Sequence, residues 1–414
     1  MVDAGALARE FERVFGRAAQ VYRAPGRVNL IGEHTDYNDG FVMPMALDRS
    51  AWVAAAPRDD GIIVVRSREY GETVTIDDDT PRPDGHWSSY VRGVAAVVAG
   101  LKGPPHDDAV AGRPFQGRQL PGADVLIASD VPIGAGLSSS AALEVACGYA
   151  LLDVANRPID LDELATACQR AEHEFAGIRC GIMDQMIACH GREHHVMMLD
   201  TRSLEREFLP LPGEVRVLVC NTMAKHELAA SEYNARRADC EEGVRVLAQK
   251  DSRIRALRDA TLVQLDAARG QLTDRVYRRC RHVIGENGRV QVAAGALRDV
   301  DLELFGRMMD SSHQSLRDDY EVSCAELDTM VTIARSLEGV HGARMTGGGF
   351  GGCAVALVDA ESAERVRQEI AERYDAATRV GPDIWVCSAG SGVSAWSPAQ
   401  TLHHGGHGGH GAGV

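Results

Sequence analysis

The chain has 414 residues, 45% of them hydrophobic and 25% charged, the proportions of an ordinary soluble protein long enough for two or three domains. A net charge of -15 excludes nucleic acid as the main partner, because binding a phosphate backbone needs clustered Lys and Arg. No stretch approaches a membrane span, the first residues lack a basic-then-apolar signal pattern, and the ten cysteines include no C-x-x-C pair, so reduced thiols in the cytoplasm are expected.

A helix is expected over about Ala4–Phe15 and a strand at Val21–Ala24. The segment Gly26-Arg27-Val28-Asn29-Leu30-Ile31-Gly32-Glu33-His34-Thr35-Asp36-Tyr37 then crowds hydrogen-bonding and ionisable side chains around two glycines. Such a set suits a polyhydroxylated ligand, whose OH groups need carboxylate acceptors and imidazole or backbone donors; it equally suits a capped turn with surface charges. Asn38-Asp39-Gly40 signals a turn, and strand patterns follow at Phe41–Leu47, Ala51–Ala56 and Gly61–Arg66. Residues 102–122, rich in Pro, Gly and charge, read as a surface excursion.

Next comes Pro132-Ile133-Gly134-Ala135-Gly136-Leu137-Ser138-Ser139-Ser140-Ala141-Ala142, between an expected strand at Ala123–Ser129 and an expected helix over about Ser139–Leu152. A glycine-rich turn feeding a helix N-terminus is an anion site, since the first helical N–H groups have no intrahelical partner. It is not the G-x-x-x-x-G-K-[ST] loop, for it has no lysine, nor the dinucleotide fingerprint, because Gly134-x-Gly136 is followed by Ser139. Gly347-Gly348-Gly349-Phe350-Gly351-Gly352 has better spacing but lies between two strand patterns, Gly342–Met345 and Cys353–Val358, and opens no helix.

Asp160 can cap a helix running to Ala176, with Glu163 completing a capping box and Gly177 ending it. Glu172 shares a face of this helix with Cys168 and Phe175, as a paired surface group or a cation ligand. In Gly181-Ile182-Met183-Asp184-Gln185 a carboxylate starts a short apolar helix, where it can cap or, kept ionised by the helix N-terminus, act chemically. Strands are expected near Val196–Leu199 and Arg216–Cys220, then helices from Ser231 to Ser336 broken around Lys250–Ser252 and Gly285–Gly288. The last unit reads strand, glycine loop, strand, helix (Ala360–Tyr374), strand (Ile384–Ala389), which makes the chain α+β rather than a doubly wound sheet. The His/Gly-rich residues 399–414 cannot pack a core and read as disordered.

Four of these segments occur together in one order. Gly26–Tyr37 closely resembles the galactokinase signature, Pro132–Ala142 the ATP motif of the GHMP family of small-molecule kinases, and Cys180–Gln185 the catalytic segment as galactokinases carry it. Thr346–Gly352 resembles the third GHMP motif, and Ser231-Glu232-Tyr233 and Arg281–Asn287 also match the galactokinase pattern, so the resemblance spans about Val21 to Val393.

The resemblance implies a two-domain GHMP kinase fold, an N-terminal domain at 1–205 and a C-terminal domain at 206–398, with the active site in the cleft between them. It implies ATP-dependent phosphorylation of the anomeric hydroxyl of D-galactose, with Asp184 catalytic and Arg27 its partner. Asp184 would take the proton as a general base or act by positioning, as the transition state is loose. Glu33, His34, Asp36, Gly181, Asp184 and Tyr233 would bind the sugar. Pro132, Gly134, Ala135, Gly136, Leu137, Ser138, Ser139 and Ser140 would bind ATP, with Ser140 and Glu172 as Mg²⁺ ligands. Trp87 would line the adenine pocket, or serve the core. Ala135 stands where a glycine is common in the family, which a negative φ tolerates. No obligate protein partner is evident. The alternatives are an N-acetylgalactosamine or arabinose kinase, and a galactose- and ATP-sensing protein without catalysis; sensors lack the Ser-Ala pair, which is intact here as Ser140-Ala141.

Overall fold

The computed structural model describes residues 2–77, 85–101, 120–224 and 229–397, with the side chains of 229–231 excepted. The expected excursion, but for its last three residues, and the His/Gly tail lie outside the described residues.

The helix Ala4–Phe15 forms as its pattern requires. Asp3 accepts a hydrogen bond from the Ala6 N–H, Gly16 ends the helix at φ 72°, and Ala4, Leu7 and Phe11 (spaced i, i+3, i+7) face inward. These three pack on Val21, Ala54, Ala56, Leu126 and Ala128, one face of a six-stranded sheet. Its order is Ser394–Ala395, Gln20–Asn29, Pro44–Arg58, Gly122–Ser129, Ile63–Ser67, Thr73–Ile76. The first four are antiparallel neighbours, and Gly122–Ser129 runs parallel to Ile63–Ser67. The opposite face carries the helices Ser88–Ala99, Ser139–Val154, Leu161–Ala171 and Met183–His190.

A second sheet, ordered Val340–Met345, Cys353–Asp359, Val215–Asn221, Asp383–Cys387, is antiparallel throughout. It is buried on both faces. Val215, Val217, Val219, Val355 and Leu357 join the core they share with the first sheet, while Leu218, Cys220, Ala354, Ala356 and Val358 join a second core under the C-terminal helices. Alternate side chains pointing to two apolar layers explain the near-continuous hydrophobic runs of these strands. The expected boundary at 205/206 falls in the turn between His195–Asp200 and Arg206–Pro210, which pair with each other in one three-stranded sheet. The chain also returns at its end, where Ala395 pairs with Tyr22 and Ser394 with Arg23.

Two expectations are corrected. The helix Asp274–Arg298 runs unbroken through Gly285–Gly288. Two glycines cost about 1 kcal/mol each relative to alanine, but tertiary bonds hold the residues between them. The Glu286 carboxylate accepts from the Gly32 N–H (2.9 Å) and Ser312 (2.6 Å), besides Arg289 of its own helix (2.6 Å), and the Asn287 side chain accepts from the Phe41 N–H (2.9 Å). The helix from Asp160 keeps its N-cap, with Asp160 accepting from the Asp162 and Glu163 N–H groups, but Glu163 closes no capping box and the α-helix gives way to a π turn at Glu172–Ala176 before Gly177.

Candidate active site

Arg27 lies in the strand Gln20–Asn29, where the pairing with Pro44–Arg58 shifts register between Pro25 and Arg27. Pro25 has no N–H to give to a ladder, and such a bulge re-aims the following side chain. The Arg27 N–H donates to the Leu137 carbonyl (3.0 Å), which ties the strand to the phosphate loop. Its guanidinium makes a two-point pair with Asp184, Nε to Oδ1 and Nη2 to Oδ2, both 2.7 Å, and Nη1 donates to the Gly136 carbonyl (2.6 Å). Burial works against the arginine's charge, but the attraction and hydrogen bonds of Asp184 prevail and raise its pKa. Asp184 sits in the first turn of Met183–His190 and also accepts a hydrogen bond from Ser138.

The phosphate loop is built for anions. Gly134, Gly136 and Ser138 have φ of 72°, 76° and 55°, and the helix Ser139–Val154 starts directly after them with no side-chain cap, because the Ser138 hydroxyl is bonded to Asp184. Its first N–H groups are therefore left for a ligand. Ala135 is absent from the positive-φ residues, so its methyl group is accommodated. The Thr346–Gly352 loop leans on this one: a Cβ on Gly347 (φ 82°) would stand 3.1 Å from the Gly136 oxygen.

Beside this junction is a cavity of about 280 Å³, lined from the first half of the chain by Arg27, Glu33, His34, Asp36, Glu172, Gly181 and Asp184. Tyr233, Asn234 and Gly347 to Gly349 close it from the second half. Glu33 is buried. Its Oε1 accepts from the Gly347 N–H (2.7 Å) and Thr346 (3.1 Å), with the Arg344 guanidinium 3.6 Å away. Burial pushes its pKa up in spite of Arg344 and Arg27. Burial likewise pushes Asp36 up, to about 7, with the charges of Asp184 and Glu33 adding to the effect. Asp36 lies so close to Gly181 that any Cβ there would collide with its carboxylate. His34 is held at φ 63°, and burial keeps its imidazole neutral by lowering its pKa well below the usual value. Tyr233 packs against the rings of His34 and Tyr37, with centroids 5.6 and 5.1 Å away.

Glu172, on the π turn, accepts from Ser140 (3.0 Å), Cys180 (3.2 Å) and Gln185 (2.7 Å). None of these three is cationic, and burial raises its pKa. A buried carboxylate and a hydroxyl, side by side at the phosphate loop, are oxygen donors that fit a hard divalent cation completed by phosphate oxygens and water. Trp87 does not line the cavity. It belongs to the main core, stacks on Tyr70 (5.7 Å, 5°) and donates its indole N–H to Glu72 (3.0 Å).

Pattern reading named Arg27, Glu33, His34, Asp36, Glu172, Gly181, Asp184 and Tyr233, and all of them line the one cavity. It assigned nothing to Arg344, Thr346, Gln185, Tyr37 or Tyr320. Tyr37, Gln185 and Thr346 lie inside the motifs Gly26–Tyr37, Cys180–Gln185 and Thr346–Gly352, whereas Arg344 and Tyr320 look like ordinary strand and helix residues.

The family comparisons agree with this geometry. The galactokinase galactose-binding signature matches residues 9–57, the GHMP kinases N terminal domain residues 107–192 and the GHMP kinases C terminal model residues 293–376. A galactokinase of Roseiflexus sp. (strain RS-1) is 46% identical over 395 residues, covering 95% of this chain and 97% of the relative. The chain belongs to the galactokinase family. The galactokinase of Bos taurus is 44% identical across 88% of this chain and 91% of its own. The crystal structure of Lactococcus lactis galactokinase complexed with galactose superimposes with a TM-score of 0.85 at 32% identity, over 94% of this chain and 99% of that one. Mevalonate kinase of Methanococcus jannaschii (TM-score 0.62, 18% identity, covering 90% of this chain and 99% of that one) shares the fold.

Proposed function

We propose that this member of the galactokinase family transfers the γ-phosphoryl group of ATP to the anomeric hydroxyl of D-galactose, releasing α-D-galactose 1-phosphate and ADP. The observation that carries the reading is Arg27, which grips Asp184 with two hydrogen bonds and the phosphate loop at Gly136 with a third. The group that orients the acceptor and the loop that orients the donor are thereby joined through one rigid, always charged side chain.

In this reading the sugar lies in the cavity with its anomeric hydroxyl on Asp184, which accepts the proton as the oxygen attacks phosphorus. Arg27 holds Asp184 in place by its two hydrogen bonds and faces the charge on the transferring group. The uncapped N-terminus of Ser139–Val154 receives the phosphates, doing without the lysine of other phosphate loops. Ser140 and Glu172 would hold Mg²⁺, which supplies neutralisation of phosphate charge. Glu33, His34, Asp36, Gly181 and Tyr233 hold the sugar's other groups. The free, mostly buried cysteines suit a cytoplasmic setting.

Purified protein with Mg²⁺-ATP is expected to release ADP with galactose and far less with galactosamine, N-acetylgalactosamine, arabinose or glucose. Turnover on another sugar would move the specificity, and galactose binding without ADP release would leave a sensor. Glu33→Ala is expected to raise the galactose KM by about 10-fold or more, the scale of losing charged hydrogen bonds, with little change in the ATP KM. Equal effects on both would remove Glu33 from the sugar.

A pH dependence follows from Asp36. Its raised pKa means that the folded protein, unlike the unfolded chain, holds this proton between pH 3.8 and about 7. Its contribution to stability is present below that window and lost as the pH rises through about 7. The carboxylate that accepts from sugar hydroxyls forms over the same rise, so kcat/KM for galactose should fall toward acid with an apparent pKa near 7. Persistence of that limb in Asp36→Asn would assign it to another group.

A further inference from the structure

Glu144 is the one acidic side chain buried on the helix Ser139–Val154, and it is buried completely. Its only hydrogen-bond partner among the described residues is the amide of Gln185, itself fully buried, whose Nε2 lies 3.3 Å from Glu144 Oε2. The same Nε2 donates to Glu172 Oε2 at 2.7 Å, while Ser140 donates to Glu172 Oε1 at 3.0 Å. Ser140 and Glu144 stand one turn apart on the same helix face, so Ser140, Glu172, Gln185 and Glu144 close a ring beside the phosphate loop.

We propose that Gln185 is a positioning residue that fixes Glu172 for the divalent cation, and that Glu144 is its anchor. This rests on the reading of Ser140 and Glu172 as the ligands of that cation. An amide suits the task. Nε2 carries two protons, one for each carboxylate, and its remaining contact, with Cys180 Sγ, is long at 3.9 Å. Turned the other way, the amide would set its oxygen against both carboxylates. Gln185 Oε1 has no partner among the described residues, so the two carboxylates alone decide how the amide is turned. The amide is also neutral. A lysine or arginine in its place would orient Glu172 too, but would oppose the binding of a cation there.

The fold brings these groups together from three elements: the helix Ser139–Val154, the π turn Glu172–Ala176 and the helix Met183–His190. A carboxyl buried beside Ala141, Ala142 and Val145 carries a desolvation cost that an apolar residue would avoid, and the bond that sets against this cost goes to Gln185. Gln185 directly follows Asp184, and a helix turns about 100° per residue. Asp184 therefore pairs with Arg27 while Gln185 reaches Glu172. The first turn of one short helix thus places the carboxylate for the acceptor and braces the carboxylate for the cation.

The test is Mn²⁺ binding to the ADP-saturated whole protein, read by electron paramagnetic resonance, paired with steady-state kinetics over a range of Mg²⁺. Gln185→Met keeps the length of the side chain and removes both donors. It is expected to weaken Mn²⁺ binding about 10-fold or more, the scale of losing a bond that orients a metal ligand, and to raise the Mg²⁺ needed for half-maximal kcat in step. The galactose KM, and kcat at saturating Mg²⁺, should stay within about 3-fold, since neither depends on how Glu172 is braced once the cation is bound. Glu144→Leu should weaken Mn²⁺ binding in the same direction and less, and Glu144→Gln, which keeps an acceptor oxygen, should restore it. These two variants leave Gln185 and the Asp184 helix intact, so they carry the test alone if Gln185→Met does not fold. Unchanged Mn²⁺ affinity in folded Gln185→Met, or in Glu144→Leu where that variant stands alone, overturns the proposal, and so does a loss confined to the galactose KM. Glu144→Gln as weak as Glu144→Leu overturns the anchor. Glu172→Gln is the control: if it too binds Mn²⁺ like wild type, the placing of the cation at Glu172 has failed, whereas a loss there with none in Gln185→Met fails only the brace.

Discussion

Asp184→Asn is expected to lower kcat by about 10²-fold or more while the protein stays folded and binds galactose. The amide keeps the shape of the side chain but cannot take a proton from the sugar. On one side it also turns a donor toward Arg27 Nη2 and Ser138, both of which now donate to Oδ2. Because the transition state is loose, part of the loss would come from disturbed alignment rather than from the missing base. Arg27→Met separates the two. If Asp184 and Arg27 work as one unit, the double variant should be scarcely slower than Asp184→Asn alone. Near-normal turnover by folded Asp184→Asn would take this carboxylate out of the chemistry.

Arg344→Leu is expected to destabilise the fold by about 3 kcal/mol, read from urea unfolding, since removing one member of a buried charge set costs about 3–5 kcal/mol. Arg344 is fully buried, donates to the Asn29 carbonyl (3.0 Å) and lies 3.6 Å from Glu33. Its charge also helps hold Glu286 down at about 2; Glu286 is buried, but Arg289, His282 and Arg344 outweigh the burial. The low end of the range is chosen because Arg344 Nε and Nη2 have no partners, so leucine relieves part of a burial cost. The double variant Glu33→Gln/Arg344→Leu should be more stable than Arg344→Leu, because the uncompensated carboxylate is gone. If the two losses simply add, Glu33 and Arg344 are not coupled.

Much of the fold was legible where local pattern and burial agree. The capped amphipathic helix Ala4–Phe15 and the apolar strands Val215–Asn221 and Cys353–Asp359 could be read within a residue or two. The strand Arg206–Pro210 could not, because only Leu209 in it is buried and it carries little alternation. Nor could the continuity of Asp274–Arg298 through its glycines, because the bonds that hold it come from Gly32, Phe41 and Ser312, remote in sequence.

The chemistry of the site is local and therefore readable. Glycines that allow left-handed turns, serines at a helix start and carboxylates beside an arginine or a helix N-terminus act over a few residues, and their order along the chain was enough to indicate the family. The state of each group is not local. Glu33 is 314 residues from the Gly347 N–H that it binds, Arg27 is 157 from Asp184, and Tyr37 is 283 from Tyr320. Burial and the distance between charges set which carboxylate holds a proton, which imidazole stays neutral and which arginine is locked. Both are properties of the closed cleft, created only when the two halves of the chain pack against each other.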